Sequence, residues 1–166
     1  MRRTFIVLTG FILIFATESG LSGQSASASL QVSASVTKNC TITTTPVAFG
    51  GYDSVTTNAT APLDGTGGVV VTCTKGAAAK VGLNQGGNAQ GATRRMAGTA
   101  TEFLTYELYK DSGHVNVWGD TASTALDIPA APNRTARNFT VYGQVAGAQD
   151  ATVGSYTDTV VATVNF

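Results

Sequence analysis

Ser29-Leu-Gln-Val-Ser-Ala-Ser-Val-Thr37 alternates apolar and polar residues with period two. Leu30, Val32, Ala34 and Val36 fall on one side, and Gln31, Ser33, Ser35 and Thr37 on the other. Successive side chains of a strand point to opposite faces, so this pattern predicts a half-buried β-strand over residues 29–37. No Asn-Gly or Asp-Gly pair follows to tie it to the next strand as a hairpin. A terminal strand with a full apolar face either closes its own sheet or completes a neighbour's.

What precedes this stretch reads as a leader. Met1-Arg2-Arg3 is a positive start, Phe5 to Ala16 is an apolar run, and Ala26-Ser-Ala28 is an A-x-A cleavage pattern. A run of twelve residues is too short for a membrane anchor, which needs about 20. Residues 1–28 are therefore expected to be a signal peptide, with cleavage a few residues earlier as the alternative. No second hydrophobic stretch follows, so no stable membrane insertion is expected after leader removal. Losing Arg2, Arg3 and Glu18 leaves 8 basic and 9 acidic residues of the original 10 and 10.

Composition narrows the class further. The chain is rich in Thr, Val, Ala and Gly and only 12% charged, without long segments of helical period. Strand and turn formers dominate, which predicts a single all-β sandwich or barrel domain. Scattered, balanced charge gives no footprint for nucleic acid.

Cys40 and Cys73 each sit in a strand-like run, Asn39-Cys-Thr-Ile-Thr43 and Val69-Val-Val-Thr-Cys73. In an oxidising compartment a disulfide between them is the default. Metal binding and a reactive thiol are the competing readings, and two thiols without nearby His or acidic partners make a poor metal site.

Along the chain, short strands alternate with turns. Ala79–Leu83 and Phe103–Lys110 read as strands, the latter with Leu104, Tyr106 and Leu108 on one face. Val115–Trp118, Arg137–Val145 and Tyr156–Phe166 follow, and in the last of these Val160, Ala162, Val164 and Phe166 share a face. Residues 84–100, rich in Gly, Asn and Ala, read as a long loop around Arg94-Arg95-Met96. About seven strands plus the N-terminal one fit a two-layer Greek-key sandwich.

Chemistry is sparse. The single histidine, His114, lies with Asp111 and Ser112 in one short stretch, where turn chemistry outweighs a triad that needs three converging side chains. Gly86, Gly87 and Gly91 precede no Gly-Lys-Ser/Thr and form no phosphate loop. Acidic residues are spread singly, giving no Ca²⁺ site. Trp118 and the tyrosines could form a sugar-binding face, but core packing is the commoner role. No catalytic, cofactor-binding or metal residues are assigned, and no enzyme activity is expected.

An ordered series of short pieces resembles the spore coat protein U domain family, whose domain also occurs in subunits of archaic chaperone–usher pili. The pieces are Asn39-Cys-Thr-Ile, Thr45-Pro-Val-Ala-Phe-Gly50 with Tyr52-Asp53, and Val69-Val-Val-Thr-Cys-Thr-Lys-Gly76. Val81-Gly-Leu83, Arg95-Met96, Leu104-Thr-Tyr-Glu-Leu-Tyr109, Val117-Trp-Gly119, Thr140-Val-Tyr-Gly143 and Gly154-Ser-Tyr-Thr-Asp-Thr-Val160 continue the series. The chain departs at Val145-Ala146, where the family often has proline, and at Ala148, which separates Gly147 from Gln149.

The resemblance implies an incomplete immunoglobulin-like Greek-key sandwich over residues 38–166, with a groove where its last strand is missing. It implies that residues 29–37 are a donor strand for another pilin subunit, with Leu30, Val32, Ala34 and Val36 entering successive pockets; pilin assembly of this kind is a standard example of strand addition to a sheet edge. It implies a periplasmic chaperone gripping Val160, Ala162, Val164 and Phe166, and an outer-membrane usher. The implied product is a surface fimbrium serving adhesion or biofilm formation, in which a chain with its own donor is a shaft or linking subunit. A spore-coat or matrix structural protein whose first strand folds back into its own sandwich is the alternative. A carbohydrate-binding module or secreted enzyme is the third class.

Overall fold

The computed structural model describes residues 23–99 and 101–166. The predicted leader therefore lies, over residues 1–22, outside the described residues. The described residues divide into a segment ending at Ser35 and a body running from Val36 to Phe166.

Among its described residues the body contains two antiparallel sheets and no helix beyond one 3-10 turn at Thr57–Ala59. One sheet has the order β1-β2-β7-β5-β4, formed by β1 (Cys40–Ala48), β2 (Leu63–Cys73), β7 (Arg137–Val145), β5 (Phe103–Tyr109) and β4 (Arg94–Ala97). The other has the order β6-β3-β8, formed by β6 (Leu126–Ile128), β3 (Ala79–Leu83) and β8 (Ala162–Asn165). The β2–β7 and β3–β8 neighbours are crossovers between distant parts of the chain, as in a Greek-key sandwich. Val69, Val71, Leu104, Tyr106, Leu108, Val141 and Val145 face the core from the larger sheet. Val81, Leu83 and Ile128 face it from the smaller, with Trp118 fully buried beside them.

Glycines on the larger sheet explain how β1 is seated. The β1–β2 register shifts between Thr45 and Ala48, one extra residue on β1, at Pro46, which has no N–H to give to the ladder. The bulge turns Val47 and Phe49 inward over Gly65, Gly67 and Gly143, where an added Cβ would lie 2.7–2.8 Å from their side-chain carbons. Phe49 then reaches Tyr106, with 6.1 Å between ring centroids. The Asp-Gly-Thr-Gly-Gly start of β2, polar by sequence, is strand because its bare backbone accepts these two side chains.

Four segments differ from the sequence reading. Residues 84–100 are not one loop: Arg94–Ala97 form β4 and pair with Phe103–Tyr106. Val115–Trp118 is not a strand and keeps only an isolated bridge between Val117 and Tyr109. Of Tyr156–Phe166, only Ala162–Asn165 is strand. The residues before it cross from the larger sheet, where Thr157 bridges Ala97, to the smaller. Gly23 to Asn39 has no assigned strand, and every residue in it is exposed.

The departure noted at Ala148 also has a structural form. Ala148 sits at φ +60°, the left-handed region that glycine favours, and its N–H donates to the Asn58 carbonyl at 2.8 Å.

Candidate functional site

The sandwich is open along one side. β8 pairs only with β3, and β1 only with β2, so each is an edge strand. No ladder joins β1 to β8 among the described residues, and the two edges flank a trough that reaches the core. A cavity of about 230 Å³ lies between Thr44, Val47, Val69, Leu83, Val141 and Val160. A larger one, about 600 Å³, continues from Val47 past Phe49, Tyr52, Met96, Leu104 and Tyr156. An unpaired edge with apolar walls is unstable alone and a template for another strand.

The walls are held by features that sequence reading identified only in part. Cys40 and Cys73 are directly opposite in the β1–β2 register and are joined by a disulfide, which pins the start of β1. Arg94, fully buried, donates to the carbonyls of Leu83 at 2.8 Å, Asn84 at 2.8 Å and Trp118 at 2.9 Å, and pairs with Glu107. The Trp118 indole N–H donates to the Val81 carbonyl at 2.8 Å. Together these fix the end of β3, the strand on which β8 lies. The buried arginine was hidden in a stretch that reads as polar loop, and its neighbour Arg95 behaves differently, stacking over the Phe103 ring at 4.0 Å.

The strap leading into β8 is fixed by Asp158. Its carboxylate accepts the N–H groups of Gly87 at 2.9 Å and Asn88 at 3.1 Å, and the Tyr106 hydroxyl at 2.7 Å. Burial and the hydrogen bond to Asp158 push the Tyr106 phenol well above its ordinary range. It stays a neutral donor. At the far end of the trough, the Tyr52 hydroxyl accepts the Gln149 N–H at 2.9 Å and lies within bonding distance of the Ala146 carbonyl at 3.1 Å. This joins loop 50–61 to loop 146–154.

The predicted site residues fall into two groups. Val160, Ala162 and Val164 are half-buried and pack against the core, lining or flanking the trough. Phe166 does not share their burial and is 48% exposed. Leu30, Val32 and Val36 are 85–88% exposed, and Ala34 is exposed too. The sequence reading missed the inner wall formed by Val47, Phe49, Tyr52, Met96 and Leu104. The signal available for it was the run of glycines in β2 and Gly143 in β7.

His114 faces Gln144, with Nδ1 3.2 Å from Nε2, and its nearest carboxylate is Asp64 at 3.8 Å. Asp111 instead accepts the N–H groups of Val115 and Asn116, which holds its carboxyl below the usual carboxylate range. Among the described residues, no group of three or more His, Cys, Asp or Glu is placed to hold a metal ion. No helix among them is long and apolar enough to cross a membrane.

Comparison with known proteins agrees with this geometry. A solved complex, the CsuC–CsuE chaperone–tip adhesion subunit pre-assembly complex from archaic chaperone–usher Csu pili of Acinetobacter baumannii, contains a chain with the same fold. The TM-score is 0.57 at 24% identity, covering 79% of this chain and 40% of the matched one. This chain thus spans well under half the length of that structural relative. Protein U of Myxococcus xanthus is 39% identical over 127 residues, which is 71% of this chain and 70% of Protein U. The Spore Coat Protein U domain profile matches residues 26–163. With that match spanning nearly the whole body and the open two-sheet sandwich beneath it, the chain belongs to the Spore Coat Protein U domain family.

Proposed function

We propose that this protein is a structural subunit of a secreted surface fibre, polymerised by donating residues 29–37 to the trough of another copy or a related subunit. The single observation that carries this reading is a pair of complementary defects in one chain. The body has an open edge with apolar cavities, and the preceding segment has an exposed apolar face at strand period. Side chains two apart on a strand lie about 7 Å from each other, so Leu30 to Val36 spans about 20 Å of trough. Burying these four side chains contributes on the order of 5–10 kcal/mol before ordering costs. Each ladder hydrogen bond adds about 1 kcal/mol.

On this reading residues 1–28 direct export and are removed, 29–37 donate, and 38–166 accept. A periplasmic chaperone covers the trough in transit by pairing with β8 over Val160, Ala162 and Val164, with Phe166 beside it, and an outer-membrane usher exports the chain. Adhesion or biofilm formation is the role such a fibre serves. The test is periplasmic expression with and without a cognate chaperone, followed by gel electrophoresis without boiling. A ladder of bands that collapses on heating supports the fibre subunit. A stable monomer that accumulates without chaperone contradicts it and favours a self-complemented coat protein.

A further inference from the structure

The two ends of the trough carry opposite charge, and the linker between donor segment and body is short. At the Cys40 end, the Thr74 N–H donates to the Asn39 carbonyl at 2.9 Å, and the Gly76 N–H to the Ala131 carbonyl at 2.8 Å. These bonds gather Lys38, Lys75 and the loop bearing Arg134 at one end, all three exposed. At the opposite end, the Tyr52 bonds join loop 50–61 to loop 146–154, which brings together exposed Asp53 and Asp150. Two exposed valines sit there as well. Val153 lines the mouth of the larger cavity and is 96% exposed, and Val55, 83% exposed, follows Ser54 on the same rim.

We infer that this acidic, valine-bearing end is a docking surface for the basic Cys40 end of a second copy of this chain. The inference rests on the fibre reading above and adds the body-to-body contact that goes with the inserted strand. Every strand pairing among the described residues is antiparallel. A donor laid against β8 in the same sense enters beside Asn165 and runs past Ala162. Its Val36 thus arrives at the end where Val160 and the larger cavity lie. Only Lys38 and Asn39 separate Thr37 from Cys40, which the disulfide fixes. Three residue steps reach about 10 Å at most. The donor's own body is therefore held against the acceptor's far end, and its Lys38, Lys75 and Arg134 meet Asp53 and Asp150. Val55 and Val153 lose their exposure in that contact. Unlike ends meeting repeatedly give a head-to-tail interface that propagates as a filament.

The test uses the full chain co-expressed with its chaperone, with a photo-crosslinking side chain placed at 153. The expected product is an inter-subunit crosslink mapping to residues 36–40, 74–76 or 131–134 of the neighbour. The single reversals Asp150→Lys and Lys75→Glu, both at exposed positions, are each expected to slow polymer growth roughly tenfold at low salt. The double reversal is expected to restore it. Polymers that form normally but crosslink elsewhere, or reversals without effect or rescue, overturn this contact and leave the fibre reading standing. Absence of polymers from the unmodified chain overturns both.

Discussion

Replacing Val32 with aspartate tests whether the donor face is the one that periodicity assigns. Val32 is 85% exposed, so the substitution leaves the body's core untouched, and yield of the chaperone-bound subunit is expected to be unchanged. In a polymer the same side chain lies in an apolar trough. Losing the burial of a valine removes about 2 kcal/mol. Burying a carboxylate with no partner adds several more, in a trough where the lining carboxylates Asp158 and Asp53 are of the same sign. A total of about 4 kcal/mol or more corresponds to at least roughly a thousandfold weaker association. The assay is the temperature at which the unboiled ladder collapses, compared with Ser33→Asp on the opposite face. Val32→Asp should abolish the ladder or sharply lower that temperature, while Ser33→Asp should have little effect. Equal damage by the two, or a Val32→Asp ladder as resistant as the unmodified one, would refute the assigned face.

Three further outcomes follow from the body. Replacing both Cys40 and Cys73 with serine opens a loop with a separation of 33 residues and is expected to cost about 3.8 kcal/mol, read as a lower midpoint in denaturant titration of the chaperone-free, peptide-complemented domain. Arg94→Met leaves Glu107 and the carbonyls of Leu83, Asn84 and Trp118 without their buried donor, with an expected loss of about 3–5 kcal/mol in the same titration. Tyr106 gives an alkaline signature. Its folded-state pKa is raised, so its contribution is complete below the unfolded value near 10 and is lost as pH rises above that. Tyr106→Phe should flatten that part of the stability–pH profile between about pH 10 and 12.

The fold class was legible in the sequence because alternation and turn residues carry it directly, as in Phe103–Tyr109 and Arg137–Val145. The ordered pieces from Asn39 to Val160 made the family legible as well. What escaped was decided by tertiary contact. β4 looked like loop because the stretch around it is rich in Gly, Asn and Ala, and only the carbonyls of Leu83, Asn84 and Trp118 make the Arg94 position a buried one. The glycines in the first half of β2 are explained only by Val47 and Phe49 lying over them. The C-terminal alternation overstated β8, since Tyr156 and Thr157 are engaged at the edge of β4 instead. Of the candidate site, the donating face could be read from four spaced residues. The accepting trough could not, because its walls come from seven separate segments.

Deletion of Ser29–Thr37 bears most directly on the central claim that the chain polymerises by lending its first strand. The deleted chain, co-expressed with chaperone, is predicted to accumulate as an intact chaperone-bound subunit and to give no ladder on unboiled gels. A heat-sensitive ladder from the deleted chain, or loss of the folded subunit itself, would contradict the account.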